Sequence, residues 1–542
     1  MGTSKILKGT AVLGIAGILV KILGAVFKIP LTALIGVEGM AYYGYAYPLY
    51  ALFLVIATAG IPVAISRLVS ERIAINDYES AQRVFKVSRW LLMFIGIFAF
   101  VVCFFGAEFM ADYVFKDQGA ILPVKAIAPA LIFVPIMSAY RGYFQGRQNM
   151  NPTAISQFVE QIFRVAVGLV LAFLFVKDGL EKAAAGATFG ATVGSAAGLG
   201  VIMLIYAFNK RAIRYHVKMS IRAARTSGER RKHEKTMTIV KQILIIAIPI
   251  TIGASILPLV NFADSTIVTR RLLDGGFSEI DARNLWGQLS AYCNTMVGLP
   301  QVITQAIAVA MVPAIAAAYK LKDKKEIHEN INLGMRVSMI IGMPCAAGMM
   351  ALAKPILLLL FPTEPESAIN AAPTLAIMCI NVALMALLQT SNGILQGVNK
   401  QALPMKNLAI GAVGKVVLTY ILVAIPAINI KGAAIGSVFV YAVALLLNMR
   451  DMKRHTGVKV DFTLTFLKPT IAAGLMGLCA FGSYKLVFSL LGSNSMSTLV
   501  AIAIGVVVYC VLILATKAIT KEEIGRMPKG EKLVRILDKF IK

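Results

Sequence analysis

Long runs of apolar residues recur along this 542-residue chain, and polar residues collect between them. Each run has about 20 residues or more, the length that a helix needs to cross about 30 Å of hydrocarbon. None shows the period-two alternation of a half-buried strand. Six runs lie at about 10–34, 45–66, 90–110, 121–144, 154–176 and 183–208. After a polar break, eight more lie at about 243–268, 286–317, 332–358, 368–390, 405–425, 432–448, 464–490 and 497–517. The pattern predicts an all-α polytopic membrane protein with about fourteen transmembrane helices.

The composition excludes several other classes of protein. Hydrophobic residues make up 58% of the chain and charged residues only 15%, whereas soluble domains have about 45–50% and about 25%. The six cysteines lie inside apolar runs and the four histidines in polar connections, so we predict no metal site and no cofactor. No P-loop and no catalytic triad pattern occurs, which argues against an enzyme.

The distribution of basic residues predicts the topology. When the loops are assigned to alternate sides of the membrane, Lys and Arg concentrate on one side, which is typical of cytoplasmic loops. The opposite side carries Lys116, Lys177, Lys182, Arg270, Arg271, Arg283 and Lys431. Both termini are therefore predicted to be cytoplasmic. The net charge of +27 then indicates contact with anionic lipids at basic loops rather than binding of nucleic acid.

A weak internal repeat divides the chain into two halves. Ile61-Pro62 recurs as Val312-Pro313, and Gly142, Gln145 and Gly146 recur as Gly393, Gln396 and Gly397, each 251 positions later. Chance is the alternative, since five matched positions are few. Six helices separate the copies, so the repeat is parallel, with its axis along the membrane normal.

The repeat predicts two six-helix lobes followed by two extra helices. The segments are an N-lobe at 1–208, a basic cytoplasmic linker at 209–242, a C-lobe at 243–448, two more spans at 449–518 and a cytoplasmic amphipathic tail at 519–542.

Two lysines in the first apolar run are candidate functional residues. Gly17, Lys21, Gly24 and Lys28 follow helical spacing and share one stripe. Charged side chains at membrane depth are costly, so they often line a wet cavity. The alternative is that both lysines extend to opposite membrane surfaces.

Glu160 and Arg164 form a second candidate, one helical turn apart in the fifth run. A purely structural ion pair and a functional role are both open. Adding the repeat offset to position 164 gives Lys415 in the eleventh run, so each half carries a cation at an equivalent depth.

Asp264, with Asn261 one turn earlier, is a candidate site for a coupling cation. Its carboxylate suits Na⁺ or a coupling proton. The alternative is a structural pair with Arg270 or Arg271.

Several segments resemble the polysaccharide transporter group of the multidrug/oligosaccharidyl-lipid/polysaccharide flippase superfamily. They are KILGAVFKIPLTALIG (21–36), AYPLY (46–50), AGIPVAISRLVSE (59–71) and RGYFQGRQNMNPTAISQFVEQIFR (141–164). Within that group the chain resembles the stage V sporulation protein B and MurJ-type lipid II flippase branches. The resemblance implies two six-helix lobes facing a central cavity, with two final helices beside a groove for a polyprenyl tail.

The resemblance further implies a flippase that moves undecaprenyl-diphosphate-linked cell-wall precursor from the inner to the outer leaflet of the bacterial cytoplasmic membrane by alternating access. Lys21 and Lys28 would engage the diphosphate, and Arg67 in the IPVAISR motif would be a cavity-edge cation. Na⁺ or H⁺ coupling is open. We expect a monomer that works with cell-wall synthesis proteins. Two other functions stay open, a cation-coupled multidrug exporter and a non-transporting scaffold of the division or sporulation machinery.

Overall fold

The computed structural model describes residues 2–226, 234–516 and 518, and the regular elements in this part of the chain are all helices. In the first half they are α1 (Gly2–Thr58), α2 (Ile61–Ala74), α3 (Tyr78–Phe105), α4 (Ala107–Phe109), α5 (Ile121–Ile127), α6 (Ala130–Gly146), α7 (Asn151–Phe175), α8 (Leu180–Thr226) and α9 (Thr236–Asp274). In the second half they are α10 (Glu279–Gln288), α11 (Asn294–Leu321), α12 (Lys324–Ala351), α13 (Ala353–Leu360), α14 (Pro365–Gly397), α15 (Ala402–Val423), α16 (Lys431–Thr456), α17 (Lys468–Leu491) and α18 (Asn494–Ala515). The predicted tail at 519–542 lies outside the described residues.

Thirteen helical segments of the described chain are long and apolar enough to cross a membrane. The first of them, Ile22–Ala74, has 53 residues, or about 80 Å of helix, which is enough for two crossings. Its backbone leaves the helical conformation at Gly36, with φ 67° and ψ −175°, a region that a residue without Cβ enters at little cost. Counted as two spans, this segment gives the predicted fourteen, and the prediction of an all-α polytopic membrane protein is confirmed.

The predicted linker at 209–242 is helical at both ends. Helix α8 continues past the apolar run to Thr226, and α9 begins at Thr236. Ser220 on α8 donates a hydrogen bond to the carbonyl of Asn76 at 2.8 Å. Glu234, just before α9, pairs with Arg72 of α2 at 2.6 Å. These contacts attach the polar ends of α8 and α9 to the α2–α3 turn.

The described chain divides into two compact units. Unit 1 contains the described residues up to 291 and those at 416–433, and unit 2 contains those at 292–415 and from 434 onward. The predicted lobes, 1–208 and 243–448, have different limits and stay a prediction.

Unit 1 has an apolar core formed by α2, α3, α6, α8 and α9. Helices α2 and α6 approach closely at Gly142, where an added Cβ would lie 2.8 Å from the carbonyl oxygen of Pro62. Gly146, one turn later, meets the carbonyl of Ser66 in the same way. The glycines of the first repeat copy thus serve a tight helix contact.

Unit 2 uses its copies of these glycines similarly. An added Cβ at Gly393 of α14 would lie 2.4 Å from the carbonyl oxygen of Ala308 on α11. Gly397 meets the Ile315 side chain at 2.8 Å. The last two helices, α17 and α18, pack on α12, where the Tyr509 hydroxyl donates a hydrogen bond to the carbonyl of Ile340 at 2.8 Å.

Candidate functional site

A cluster of three charged side chains lies within the apolar helices of unit 1. Both oxygens of the Glu160 carboxylate are engaged, Oε2 by Arg141 at 2.9 Å and Oε1 by Arg164 at 2.8 Å. The three side chains are only 13–16% exposed. Glu160 lies nine residues after the start of α7, about 14 Å along the helix axis. Two cations and one anion leave this cluster with a formal charge of +1.

The hairpin formed by α6 and α7 brings Arg141 to the cluster. The turn at residues 147–150 joins the two helices. Arg141 lies five residues before the end of α6, and Ser156 lies five residues after the start of α7. The two residues are therefore at the same distance from the turn along the paired helices. The Arg141 Nε donates a hydrogen bond to Ser156 Oγ at 2.9 Å. This bond orients the guanidinium toward Glu160.

A row of glycines on α8 holds α7 in place. Gly190, Gly194 and Gly198 are spaced by one turn each. A Cβ added at these positions would lie 2.6 Å from the carbonyl of Arg164, 2.5 Å from that of Glu160 and 3.1 Å from that of Ser156, respectively. Only glycine permits such an approach at the first two positions. The position of α7, which carries Glu160 and Arg164, is therefore fixed by close backbone contact with α8.

Aromatic side chains of α1 lie beside the cluster. Tyr43, Tyr47 and Tyr50 follow helical spacing and lie near Arg164. The rings of Tyr43 and Tyr47 are stacked with centroids 5.5 Å apart. Tyr43 and Tyr50 are buried, and Tyr47 is half-buried. These three tyrosines therefore belong to the surroundings of Arg164.

The predicted stripe on α1 contacts α7 at Gln161, the residue after Glu160. A Cβ added at Gly24 would lie 3.2 Å from Gln161 Nε2. Lys28, one turn further along α1, is half-buried. Lys21 belongs to α1, but its side chain lies outside the described part of the chain. Arg67 is 65% exposed and pairs with Glu71 at 2.8 Å, so the structure does not bring it to the Glu160 cluster.

The remaining candidates lie on other helices. In unit 1, α9 carries Asn261, which is exposed, and Asp264, which is half-buried. Arg271 pairs with Asp274 at 2.6 Å and donates to the carbonyl of Tyr420 at 2.9 Å. In unit 2, Lys415 of α15 is 4% exposed. The assignment of these residues to coupling or substrate binding stays a prediction.

Arg141 is the residue of the cluster that the sequence reasoning missed. It lies near the end of the predicted apolar run 121–144 and was not among the candidates. Two signals in the sequence indicate its place, namely the short turn between the fourth and fifth runs and the glycines repeated every four residues in the sixth.

Unit 2 has a buried polar network of a different kind. Asn407 donates to Asn448 and to Asp451 at 2.9 Å each. Asn448 in turn donates to Ser391 at 2.9 Å and to Asn392 at 2.7 Å. These side chains satisfy one another.

A family model described as "Polysaccharide biosynthesis protein" matches residues 6–319, and the MatE model matches residues 290–421. Lipid II flippase MurJ of Bacillus subtilis (strain 168) is 31% identical over 470 residues, covering 84% of each chain. Stage V sporulation protein B of the same organism is 27% identical over 534 residues, covering 97% of this chain and 98% of that protein. A solved structure of lipid II flippase MurJ in an inward closed conformation superposes with a TM-score of 0.63 at 15% identity, covering 92% of this chain and 97% of that one.

The fold and these comparisons define a multi-pass membrane transporter of the multidrug/oligosaccharidyl-lipid/polysaccharide flippase superfamily. Proteins of this class move solutes or lipids across a membrane and are not enzymes. Within that superfamily, the chain belongs to the polysaccharide biosynthesis protein family.

Proposed function

We propose that this protein is a flippase that moves a polyprenyl-diphosphate-linked cell-wall precursor from the inner to the outer leaflet. Lipid II is the substrate that we propose first. The observation that carries the proposal is the Arg141–Glu160–Arg164 cluster, which holds two guanidiniums among apolar helices. The 31% identity to a lipid II flippase points to the same substrate class.

The physical problem in such transport is the headgroup. A diphosphate cannot enter hydrocarbon unpaired, because the loss of hydration costs several kcal/mol per ion. Two opposite charges 4 Å apart attract by about 4 kcal/mol at an effective dielectric near 20. A few cations inside the membrane therefore offset much of this loss. Guanidiniums also match phosphate oxygens with paired N–H donors.

Alternating access then delivers the headgroup to the other leaflet. The cations hold the diphosphate while the polyprenyl chain stays in lipid, and affinities must be comparable in both states so that release follows. Lys21 and Lys28 are the proposed additional phosphate contacts. Asp264 and Asn261 are the proposed site for a coupling Na⁺ or H⁺, and both termini are proposed to be cytoplasmic.

Transport of fluorescent lipid II in proteoliposomes tests the proposal. We expect Arg164→Gln and Lys21→Ala to transport at least tenfold more slowly than the parent protein. Lys125→Gln is the matched control, because Lys125 also pairs with a glutamate, Glu108, at 2.7 Å, but away from the cluster. Parent-like transport by Arg164→Gln at equal folded protein would contradict a role for this cluster.

The MatE match to residues 290–421 supports a second candidate, a cation-coupled multidrug exporter. Cationic drugs require acidic walls, whereas the cluster in unit 1 has an excess of cations. Proteoliposomes that export a cationic dye and ignore lipid II would favour the exporter.

A further inference from the structure

Glu160 occupies the position in the cluster where an anion contacts both arginines. Its two carboxylate oxygens accept from different guanidiniums, Oε2 from Arg141 and Oε1 from Arg164. The Arg141 guanidinium also donates a hydrogen bond through its Nε to Ser156 Oγ. The carboxylate therefore bridges two cations that belong to different helices.

The cluster has more hydrogen-bond donors than the carboxylate can use. Each guanidinium carries five N–H groups, and a carboxylate has about four acceptor positions. Within the described chain, the Nε of Arg164 is buried without a hydrogen-bond partner. Buried donors without a partner are costly and uncommon in native structures. The spare donor capacity suits a second anionic acceptor at the same place.

The charges point the same way. With Glu160 in place the cluster carries +1, and with Glu160 displaced the two arginines present +2. A diphosphate carries about two or more negative charges and has oxygens on both phosphates, so it matches two guanidiniums better than one carboxylate does. Without any anion, two neighbouring guanidiniums among apolar helices would repel each other and lie uncompensated.

We propose that Glu160 is a built-in counter-anion that competes with the diphosphate of the substrate for Arg141 and Arg164. This inference rests on the proposed function. In the empty carrier Glu160 neutralises part of the arginine charge. When substrate enters, the guanidiniums exchange contacts from carboxylate to phosphate. The waiting carboxylate lowers the affinity for the diphosphate and promotes its release.

Binding of farnesyl diphosphate to the purified full-length protein, measured by calorimetry in detergent, tests the counter-anion role. We expect Glu160→Gln to bind this probe at least tenfold more tightly than the parent protein, while lipid II transport slows because release becomes limiting. Glu108→Gln is the matched control, since Glu108 forms a 2.7 Å pair with Lys125 outside the cluster, and its affinity should equal that of the parent. Unchanged or weaker binding by folded Glu160→Gln would overturn the proposal.

A second pair of variants keeps the test informative if Glu160→Gln does not fold. Arg141→Gln removes one cation, and Arg141→Gln/Glu160→Gln removes the carboxylate from that background without leaving two unpaired guanidiniums. We expect the double variant to bind farnesyl diphosphate more tightly than Arg141→Gln, and equal or weaker binding would overturn the proposal.

Transport by the parent protein separates this inference from the proposed function. If the parent protein does not flip lipid II but Glu160→Gln binds farnesyl diphosphate more tightly, the flippase function fails and the counter-anion role stands. If the parent flips lipid II and removal of the carboxylate does not tighten binding, the counter-anion role alone fails.

Discussion

The contact between α7 and α8 can be tested with one methyl group. Replacing Gly194 by alanine would place a Cβ 2.5 Å from the carbonyl oxygen of Glu160, where ordinary contact begins at 3.4 Å. The neighbour is helix backbone, so the helices must separate by roughly 1 Å to relieve the clash. Gly194→Ala therefore displaces the helix that carries both Glu160 and Arg164.

The expected loss of stability follows from two opposing effects. Overpacking a tight contact costs about 1–3 kcal/mol, while alanine in a helix interior is about 1 kcal/mol more favourable than glycine. Gly200 lies on the same helix with open space around its Cβ position, so Gly200→Ala keeps the helix gain without the clash. We expect Gly194→Ala to be about 1–3 kcal/mol less stable than Gly200→Ala.

Unfolding of the two variants in detergent measures this difference, and the binding of farnesyl diphosphate reports on the cluster. We expect Gly194→Ala to weaken binding because the shift of α7 moves Arg164 away from Arg141 on α6, so that the two guanidiniums no longer reach one diphosphate together. We expect Gly200→Ala to bind like the parent protein. Equal stability and equal binding of the two variants would refute the argument that this glycine seats α7.

Three further predictions concern other parts of the fold. Arg283 contacts Asp117 at 2.7 Å, and the Asp117 side chain is only 4% exposed, so Arg283→Gln should cost about 3–5 kcal/mol in chemical denaturation because a buried charge loses its partner. Tyr509→Phe removes the hydrogen bond from α18 to α12 and should cost about 1 kcal/mol in the same assay. Lys125 lowers the pKa of the Glu108 carboxyl through a hydrogen bond. The pair therefore stabilises the fold above the unfolded pKa of Glu108 and less as pH falls below it. The difference in melting temperature between the parent protein and Lys125→Gln should vanish in acid.

Much of the helical architecture could be predicted from the sequence, because hydrocarbon requires long apolar helices whose backbone groups are satisfied internally. The pair between Glu160 and Arg164 was also predictable, since its spacing is local. The contact of Arg141 with Glu160 joins two helices across a turn, so it depends on how α6 and α7 pack together and not on spacing within one helix. Helix ends were also hard to place, because the apolar run marks the part of a helix inside the membrane and not the end of the helix. Helix α8 continues to Thr226 through polar residues that do not interrupt a helix.

Comparison of the two repeat copies explains why we place the anion in unit 1. Asn392 stands 251 positions after Arg141, and Asn407 stands 251 positions after Ser156. Both asparagines belong to the buried polar network of unit 2. The position of the guanidinium that contacts Glu160 thus carries an amide in the second copy. An amide network whose members hydrogen-bond one another has little capacity for a multivalent anion, whereas two arginines sharing one carboxylate retain donors and charge. If the copies arose by duplication, they have kept the tight glycine contacts and diverged in the polar side chains. The pair of arginines that we propose for phosphate binding therefore occurs in unit 1, whereas the second copy has an amide at the position of Arg141 and Lys415 at that of Arg164.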